Sequence, residues 1–272
     1  MNVDLHSHTT ASDGLLTPPE LLQLAIQRNI DMLSITDHDT LDAYLDIADE
    51  GLGLRLIPGI EFSSKWRKIG VHIVGLNVDL KNATILEGAA AQTRARTERA
   101  KKIADRLALL GFKDSLQAAR VNATGGQIGR PHFAQHLVDI GAVKSTKQAF
   151  KKYLGAGKVA DIKSCWGDIE TVTGWITAAG GTAVLAHPAK YGLTRSKLIH
   201  LLNDFKDAGG EALEVISGQQ KATITADLAS LSNQYQLLAS CGSDFHQHHR
   251  PWASLGRVEQ LPDQCQPVWS RW

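Results

Sequence analysis

Cysteine is scarce in this 272-residue chain: Cys165, Cys241 and Cys265 are odd in number, far apart and never in Cys-x-x-Cys spacing. That excludes a disulfide framework and a thiolate zinc site, and it suits a reducing compartment. Net charge is nearly absent too, with 29 basic residues against 28 acidic ones. This argues against a general nucleic-acid coat protein but leaves room for a local basic groove. No apolar run approaches the length that spans a bilayer, and no basic-then-apolar leader precedes the first strand-like residues. There is no internal repeat and no low-complexity tract. The expectation is a cytoplasmic protein with no membrane association and no obligatory protein partner. At 43% hydrophobic and 21% charged residues, the chain is long enough for one large α/β domain or a domain carrying an insertion.

What is present is a recurring event, a buried strand that ends in a side chain able to bind metal. Asp4-Leu5-His6-Ser7-His8 is the first instance, and extended backbone puts its two imidazoles on one face. Thr17-Pro18-Pro19-Glu20 then reads as a capped helix start, with Thr17 and Glu20 in capping-box spacing and Pro18 at the first position. Asn29 marks its stop. A second strand over 31–36 delivers Asp37-His38-Asp39. A helix over 41–50 precedes a third strand, 54–61, which ends in Glu61. A fourth, 70–75, carries His72 inside it. Further strands over 181–186, 212–216 and 237–240 lead to His187 and, in the last case, to Asp244 and His246, with a helix over 197–206 among them. Strands alternating with helices predict parallel pairing, and seven such units with ligands at strand ends predict an α/β fold, a distorted (β/α)7 TIM-like barrel whose site lies at the strand C-termini.

The stretch 89–168 breaks the rhythm. It opens with a cation-rich helix, Arg94 to Arg106, whose apolar positions Ile103, Leu107 and Leu110 recur at helical spacing before Gly111 stops it. Because Glu98 and Asp105 interleave with the cations, that face reads as solvated. Gly129-Arg130-Pro131-His132-Phe133, another helix and a basic segment around Lys151 follow, with no strand signal. The expected organisation is a barrel from 1–88 and 169–272, and a mainly helical insertion, 89–168, that contributes to substrate binding.

The chemistry lies in His6, His8, Asp13, His38, Glu61, His72, His187, Asp244 and His246. Imidazole and carboxylate donors without thiolate suit manganese, zinc or iron. Nine donors exceed the needs of one ion, so two or three divalent ions with a bridging carboxylate such as Glu61 are expected. Clustered ions about 3.5–4 Å apart clamp a phosphoryl group and bring the pKa of water towards about 7, so phosphate-ester hydrolysis is the natural reaction class. Asp37 and Asp39 are candidates to orient ligands, and Ser7 is a candidate phosphate donor. Trp66 and Trp166 could stack a base, though core packing is their commoner use. His136, His200, His248 and His249 read as surface or local residues, and the C-terminal segment has aromatic residues enough to dock on the barrel.

These residues resemble the polymerase and histidinol phosphatase (PHP) superfamily of metal-dependent phosphoesterases. The matching motifs are His6-Ser7-His8, Thr36-Asp37-His38-Asp39, Ala186-His187-Pro188 and Ser243-Asp244-Phe245-His246. Gly59-Ile60-Glu61, the stretch around His72 and Arg130-Pro131-His132-Phe133-Ala134 resemble the branch that includes ribonuclease AM, a 5′–3′ exoribonuclease, and nucleoside 3′,5′-bisphosphate phosphatases. The resemblance implies a trinuclear site, manganese first among the candidate metals. In it His6, His8, Glu61 and Asp244 hold one ion, Glu61, His72 and His187 a second, and Asp13, His38 and His246 a third. It implicates Arg130 and His132 in a phosphate site that the metals do not touch, a role that guanidinium geometry suits. Lys158 and Lys190 are weaker candidates. Two departures stand out, Ala189-Lys190-Tyr191 where the branch has Gly-Arg-Tyr and Lys158-Val159-Ala160-Asp161 where it has Gly-Lys-Pro and Gly-Tyr-Val; at Lys190, lysine keeps the charge without the bidentate fork.

The expected function is hydrolysis of nucleoside 3′,5′-bisphosphates or short 5′-phosphorylated RNA, so the expected partner is a nucleotide or a short RNA. Two alternatives remain open at this point, a phosphatase for a small phosphomonoester such as histidinol phosphate and a metal-binding module without catalysis.

Overall fold

The structure, a computed structural model, describes residues 1–47, 53–248 and 251–272. Seven strands lie in sequence order in one sheet: β1 (Val3–Asp4), β2 (Met32–Ile35), β3 (Arg55–Trp66), β4 (Ile69–Leu76), β5 (Thr182–Leu185), β6 (Ala212–Ser217) and β7 (Leu238–Gly242). The Leu5 amide donates to the Cys241 carbonyl at 3.0 Å, and Ser7 bridges Phe245, so the last strand returns to the first and the sheet nearly closes into a barrel. Gly242 permits this approach, because a Cβ there would lie 2.6 Å from the His6 nitrogen.

The pairing corrects one expectation. β1, β2 and β3 are parallel, as are β5, β6 and β7, but β4 runs antiparallel to both of its neighbours. Only Arg67 and Lys68 separate β3 from β4, with Arg67 at φ 55°, which makes a tight hairpin; a parallel crossover would need a dozen or more residues. The hairpin also carries β3 past its expected end at Glu61 as far as Trp66, so Glu61 sits mid-strand, paired with Val74, and His72 pairs with Ser63.

Helix α1 (Pro18–Gln27) has the expected capping box, with the Thr17 hydroxyl accepting from the Glu20 amide and the Glu20 carboxylate accepting from the Thr17 amide. In place of the expected helix over 41–50 there is a short 3-10 turn, Asp42–Asp46, and residues 48–52 lie outside the described residues. Between β4 and β5 the described residues form no strand. Ahead of a helix over Ile169–Ala178 they form α2 (Ala83–Ala108), α3 (Ser115–Asn122), α4 (Arg130–Asp139) and α5 (Thr146–Ala149), which runs on into a π-helical turn, Phe150–Leu154, so the helical stretch begins at Ala83 rather than at 89. These helices share an apolar core of their own, in which Ile103, Leu107, Phe133, Leu137 and Leu154 are fully buried. The expected apolar position Leu110 is instead half exposed.

Helices α6 (Ile169–Ala178), α7 (Arg195–Asp207) and α8 (Ala222–Gln234) cover the outside of the barrel over a core from every strand. The C-terminal segment docks beside β7: the Ala239 amide donates to the Gln266 carbonyl at 2.8 Å, and Cys265 and Val268 join the core. No helix among the described residues is long and apolar enough to cross a membrane.

Candidate metal centre

Glu61 is the hub. Its carboxylate is fully buried and lies 2.8 Å from His72 Nδ1, 2.9 Å from both His187 Nε2 and His38 Nδ1, and 3.3 Å from both His6 Nε2 and His8 Nε2. Burial alone would raise its pKa, but the imidazoles of His38, His72 and His6 hold it well below the usual carboxylate range. Around this hub Asp244 Oδ1 lies 3.3 Å from His8 Nε2 and 3.6 Å from His6 Nε2, while Asp13 Oδ1 lies 3.2 Å from His246 Nε2 and 3.9 Å from His38 Nε2. All nine residues singled out in the sequence therefore meet in one place. Seven of them fall into three overlapping sets, His6-His8-Glu61, His38-Glu61-His72 and His8-Asp13-His38-His246, with the donor atoms of each within 4.8 Å of one another, and Asp244 lies against His6 and His8. His38 is shared between two of these sets, and His187 approaches the site through Glu61.

The donor set fits divalent cations on a structural criterion. Seven buried atoms here have no hydrogen-bond partner: His6 Nε2, both nitrogens of His8, Asp13 Oδ1, His38 Nδ1, Glu61 Oε2 and His187 Nδ1. A buried polar atom left unpaired costs about 1–3 kcal/mol, so such a concentration in one spot marks a place built for a ligand with positive charge.

Residues outside the donor set hold it in shape. Glu214, unremarked in the sequence, accepts from His6 Nδ1 at 2.8 Å and also from the His187 amide, which leaves His6 Nε2 facing Glu61. Its signal was a charge in the middle of the apolar strand 212–216. Tyr191 accepts from the His72 amide at 2.9 Å and donates to the Ala186 carbonyl at 2.7 Å, tying β4 to β5. Asp39, His187 and Asp244 adopt left-handed backbone, φ 58°, 29° and 54°, which costs about 1–3 kcal/mol per non-glycine residue. The Asp39 amide on the Glu61 carbonyl (3.0 Å) and the Asp244 amide on the His6 carbonyl (2.8 Å) pin two of them.

Several expectations change. Ser7 is fully buried and donates to the Ser34 carbonyl at 2.7 Å, so it serves the fold rather than a phosphate. Asp37 accepts from Thr9 and Ser12, and so shapes the loop that carries Asp13. Asp39 pairs with Arg96 Nε at 2.6 Å and accepts from the Ser63 amide at 2.6 Å. The cationic face of α2 is not solvated where it matters: Arg96 and Arg99 are each only 6% exposed and pack against the Trp166 ring. Trp66 is a core residue bonded to Asp204. His136 is buried in α4, His200 and His248 are exposed, and His249 lies outside the described residues.

Between the donor cluster and the helices lies a cavity of about 400 Å³, walled by Asp13, His38, His72 and His187 with Lys190 beside them, and by Arg96, Arg99, Arg130, Lys163 and Trp166. Arg130 lies 3.6 Å from Asp161 and over the Phe150 ring. His132 is not on the cavity wall; its Nδ1 accepts from the Gly129 amide at 3.0 Å and fixes the start of α4, and burial holds its pKa down. Lys158 is exposed and off the wall, whereas Lys190 is paired with Asp244. Burial, together with the neighbouring Arg130 and Arg96, pushes Arg99 down to about 9, so crowded guanidiniums here favour a bound anion.

The protonation pattern predicts how metal uptake depends on pH. Burial acts to lower His246, but Asp13 and Asp244 outweigh it and push the group up to about 9, whereas burial drives His8 down to about 3 and His72 to about 4. Against burial, Glu214 and Glu61 likewise push His6 up, and Glu61 and Asp13 push His38 up, so a cation must displace protons on His6, His38 and His246 but none on His8 or His72. Metal affinity of the stripped protein is therefore expected to climb by at least about tenfold per pH unit up to about 9. The stabilisation that protonated His246 gives the stripped protein runs the other way: it is complete below about 6.5 and lost as pH rises through about 9. Competition against a metal-sensitive dye from pH 6 to 10 measures the affinity, and a flat profile contradicts this assignment.

Comparison with known proteins agrees with the geometry. The family model described as PHP domain matches residues 4–155. The chain is 44% identical to the 5′-3′ exoribonuclease of Escherichia coli, covering 99% of this chain and 93% of that one. It is 37% identical to the 3′,5′-nucleoside bisphosphate phosphatase of Chromobacterium violaceum, covering 98% and 95%. A solved amidohydrolase from Chromobacterium violaceum, with bound sulfate and no metal, superimposes with a TM-score of 0.91 at 36% identity over 100% of this chain and 95% of its own. With histidines and carboxylates gathered at the rim of a nearly closed seven-stranded barrel, and with these likenesses running almost end to end, the chain belongs to the PHP domain family.

Proposed function

We propose that this protein is a metal-dependent phosphoesterase that removes the 3′-phosphate from nucleoside 3′,5′-bisphosphates and the 5′-terminal nucleotide from short 5′-phosphorylated RNA. The observation that carries the reading is a cluster of seven nitrogen and oxygen donors, with His187 and Asp244 against it, opening directly into a cavity lined by arginines and lysines. His6, His8, Glu61 and Asp244 would hold one ion, Glu61, His72 and His187 a second, and Asp13, His38 and His246 a third, with manganese the first candidate. Bound divalent ions supply Lewis acidity at phosphorus and acidify water.

The chain's own groups do the rest. The Arg130 guanidinium takes the phosphate that is not hydrolysed, aided by Arg99, while His132 positions Arg130 by holding the first turn of α4. Lys190 keeps positive charge beside Asp244 at the reacting end. The helical stretch 89–168 supplies the distal wall of the cavity and so selects the substrate. Three unpaired cysteines and a nucleotide substrate suit the cytoplasm.

A small phosphomonoester would leave Arg99 without a paired anion and Arg130 with Asp161 alone, at 3.6 Å, which disfavours the histidinol phosphate reading; a silent metal-binding module would have no use for the cationic wall. Phosphate and nucleotide release from adenosine 3′,5′-bisphosphate, a 5′-phosphorylated oligoribonucleotide and a simple phosphomonoester, each with manganese, zinc and magnesium in turn, tests all three readings. Failure on both nucleotide substrates overturns the proposal. Within it, Arg130→Ala is expected to raise KM for the bisphosphate by about 10–100-fold, the loss of one charge-assisted contact, with a smaller change in kcat. An equal loss on a monoester that lacks the second phosphate contradicts that role.

A further inference from the structure

The main cavity has room for one nucleotide, and an RNA substrate has more. In the proposed reaction water oxygen bonds to the scissile phosphorus, the bond from phosphorus to the 3′ oxygen of the first nucleotide breaks, and the water proton ends on that oxygen. The products are a 5′-mononucleotide and an RNA that keeps the phosphate at its new 5′ end. One further oxygen of the reacting phosphate therefore carries the rest of the chain, and it must leave the donor cluster by another route.

Two smaller cavities are candidates. One, about 330 Å³, lies among Thr93, Arg96 and residues 125–128; it shares only Arg96 with the main cavity and touches none of the nine donors. The other, about 310 Å³, begins where the main cavity ends, since His187 and Lys190 wall both. It lies between the loops that follow β5 and β6, with Gln219, Gln220, Lys221 and Ile224 as its remaining principal walls, and no carboxylate lines it. Ser217 Oγ, in a residue on the same wall, is buried without a hydrogen-bond partner. The amide of Gln219, on that wall, donates to the backbone carbonyl of Trp252 at 2.7 Å, which ties the main chain of a 59%-exposed tryptophan to the cavity wall.

We infer that this second cavity receives the RNA on the 3′ side of the scissile phosphate, with Lys221 meeting the next backbone phosphate and Trp252 stacking a downstream base. Lys190, between the two cavities, then marks the point where the chain turns from one into the other. A cationic track with an aromatic platform is the arrangement that holds single-stranded nucleic acid without regard to sequence. Neither group is needed by a bisphosphate, whose reacting phosphate ends there. This inference rests on the phosphoesterase reading, and it separates the two substrates by place: both use the main cavity and only RNA uses the second.

The test compares kcat/KM of Lys221→Glu and Trp252→Ala on a 5′-phosphorylated tetraribonucleotide and on adenosine 3′,5′-bisphosphate. Both residues are exposed, and unchanged bisphosphate turnover reports that the variants fold. Each variant is expected to lose about tenfold on the tetranucleotide and to stay within about twofold of wild type on the bisphosphate. Equal losses on both substrates, or no loss on RNA, overturn the inference. So does a wild-type protein that cleaves the bisphosphate and leaves RNA intact, although the phosphoesterase reading survives that result. Inactivity on both substrates removes the reading itself.

Discussion

Glu61→Gln is expected to lower phosphate release from adenosine 3′,5′-bisphosphate by on the order of 10³-fold and to cut the bound metal by at least one ion per chain. The substitution keeps volume and shape, so the barrel closes as before. What it removes is the one negative charge that five imidazoles share, at 2.8 to 3.3 Å. An amide oxygen cannot bridge two cations as a carboxylate does, and the amide nitrogen would point a donor where a cation or a protonated imidazole belongs. Glu214, which touches His6 without joining the donor set, supplies the comparison: loss of a supporting partner of that kind costs about 10–100-fold. Elemental analysis of the purified variant and a phosphate-release assay decide the matter. Activity within tenfold of wild type, with full metal content, would falsify the hub assignment.

How much of this could be read in the sequence depends on how specific each residue's chemistry is. Histidines and carboxylates at the ends of apolar runs announce themselves, because a buried imidazole or carboxylate needs a partner wherever the chain goes, and the seven strands were legible from the same apolar runs. The direction of β4 was misread. Its hairpin uses Arg67 and Lys68 instead of the Asn-Gly or Gly-containing turns that mark such loops, so the one signal was spacing: the eight residues 62–69 between the expected strands are too few for a parallel crossover. Arg96 and Arg99 were misread for a different reason. Interleaved acids suggested a solvated face, yet the buried stripe of α2 runs Ile85, Gly88, Gln92, Arg96, Arg99, Ile103 and Leu107 at spacings of three and four. Extended backwards from Ile103, the apolar stripe itself lands on two arginines and a glutamine, and polar residues on a buried stripe mark a site. The partners that make those arginines affordable, Asp39 and Trp166, are far away in the chain, so only the fold reveals them.

Stripping the metal is expected to abolish hydrolysis and to lower the unfolding midpoint by about 8 °C. Ions held as proposed, by residues from six different strands and their following loops, would bind the native chain and have no equivalent site in the unfolded one. Saturation at about a thousand times Kd then contributes about 4 kcal/mol of stability. For domains of about 150–250 residues each kcal/mol moves the midpoint by about 2–4 °C, and at 272 residues this chain sits at the small end of that sensitivity. The seven unpaired buried atoms push in the same direction, since without a cation their desolvation goes uncompensated. Thermal unfolding is measured before and after chelation, with removal verified by elemental analysis, and again after manganese, zinc or magnesium is returned. Manganese is expected to restore both the midpoint and the activity. In Glu61→Gln the chelator-dependent shift is expected to shrink by about half or more, because the ions that shared the hub no longer have it. A midpoint that stays put after complete removal would mean that the imidazoles and carboxylates satisfy one another without help, and the donor cluster would then be a polar core rather than a metal centre.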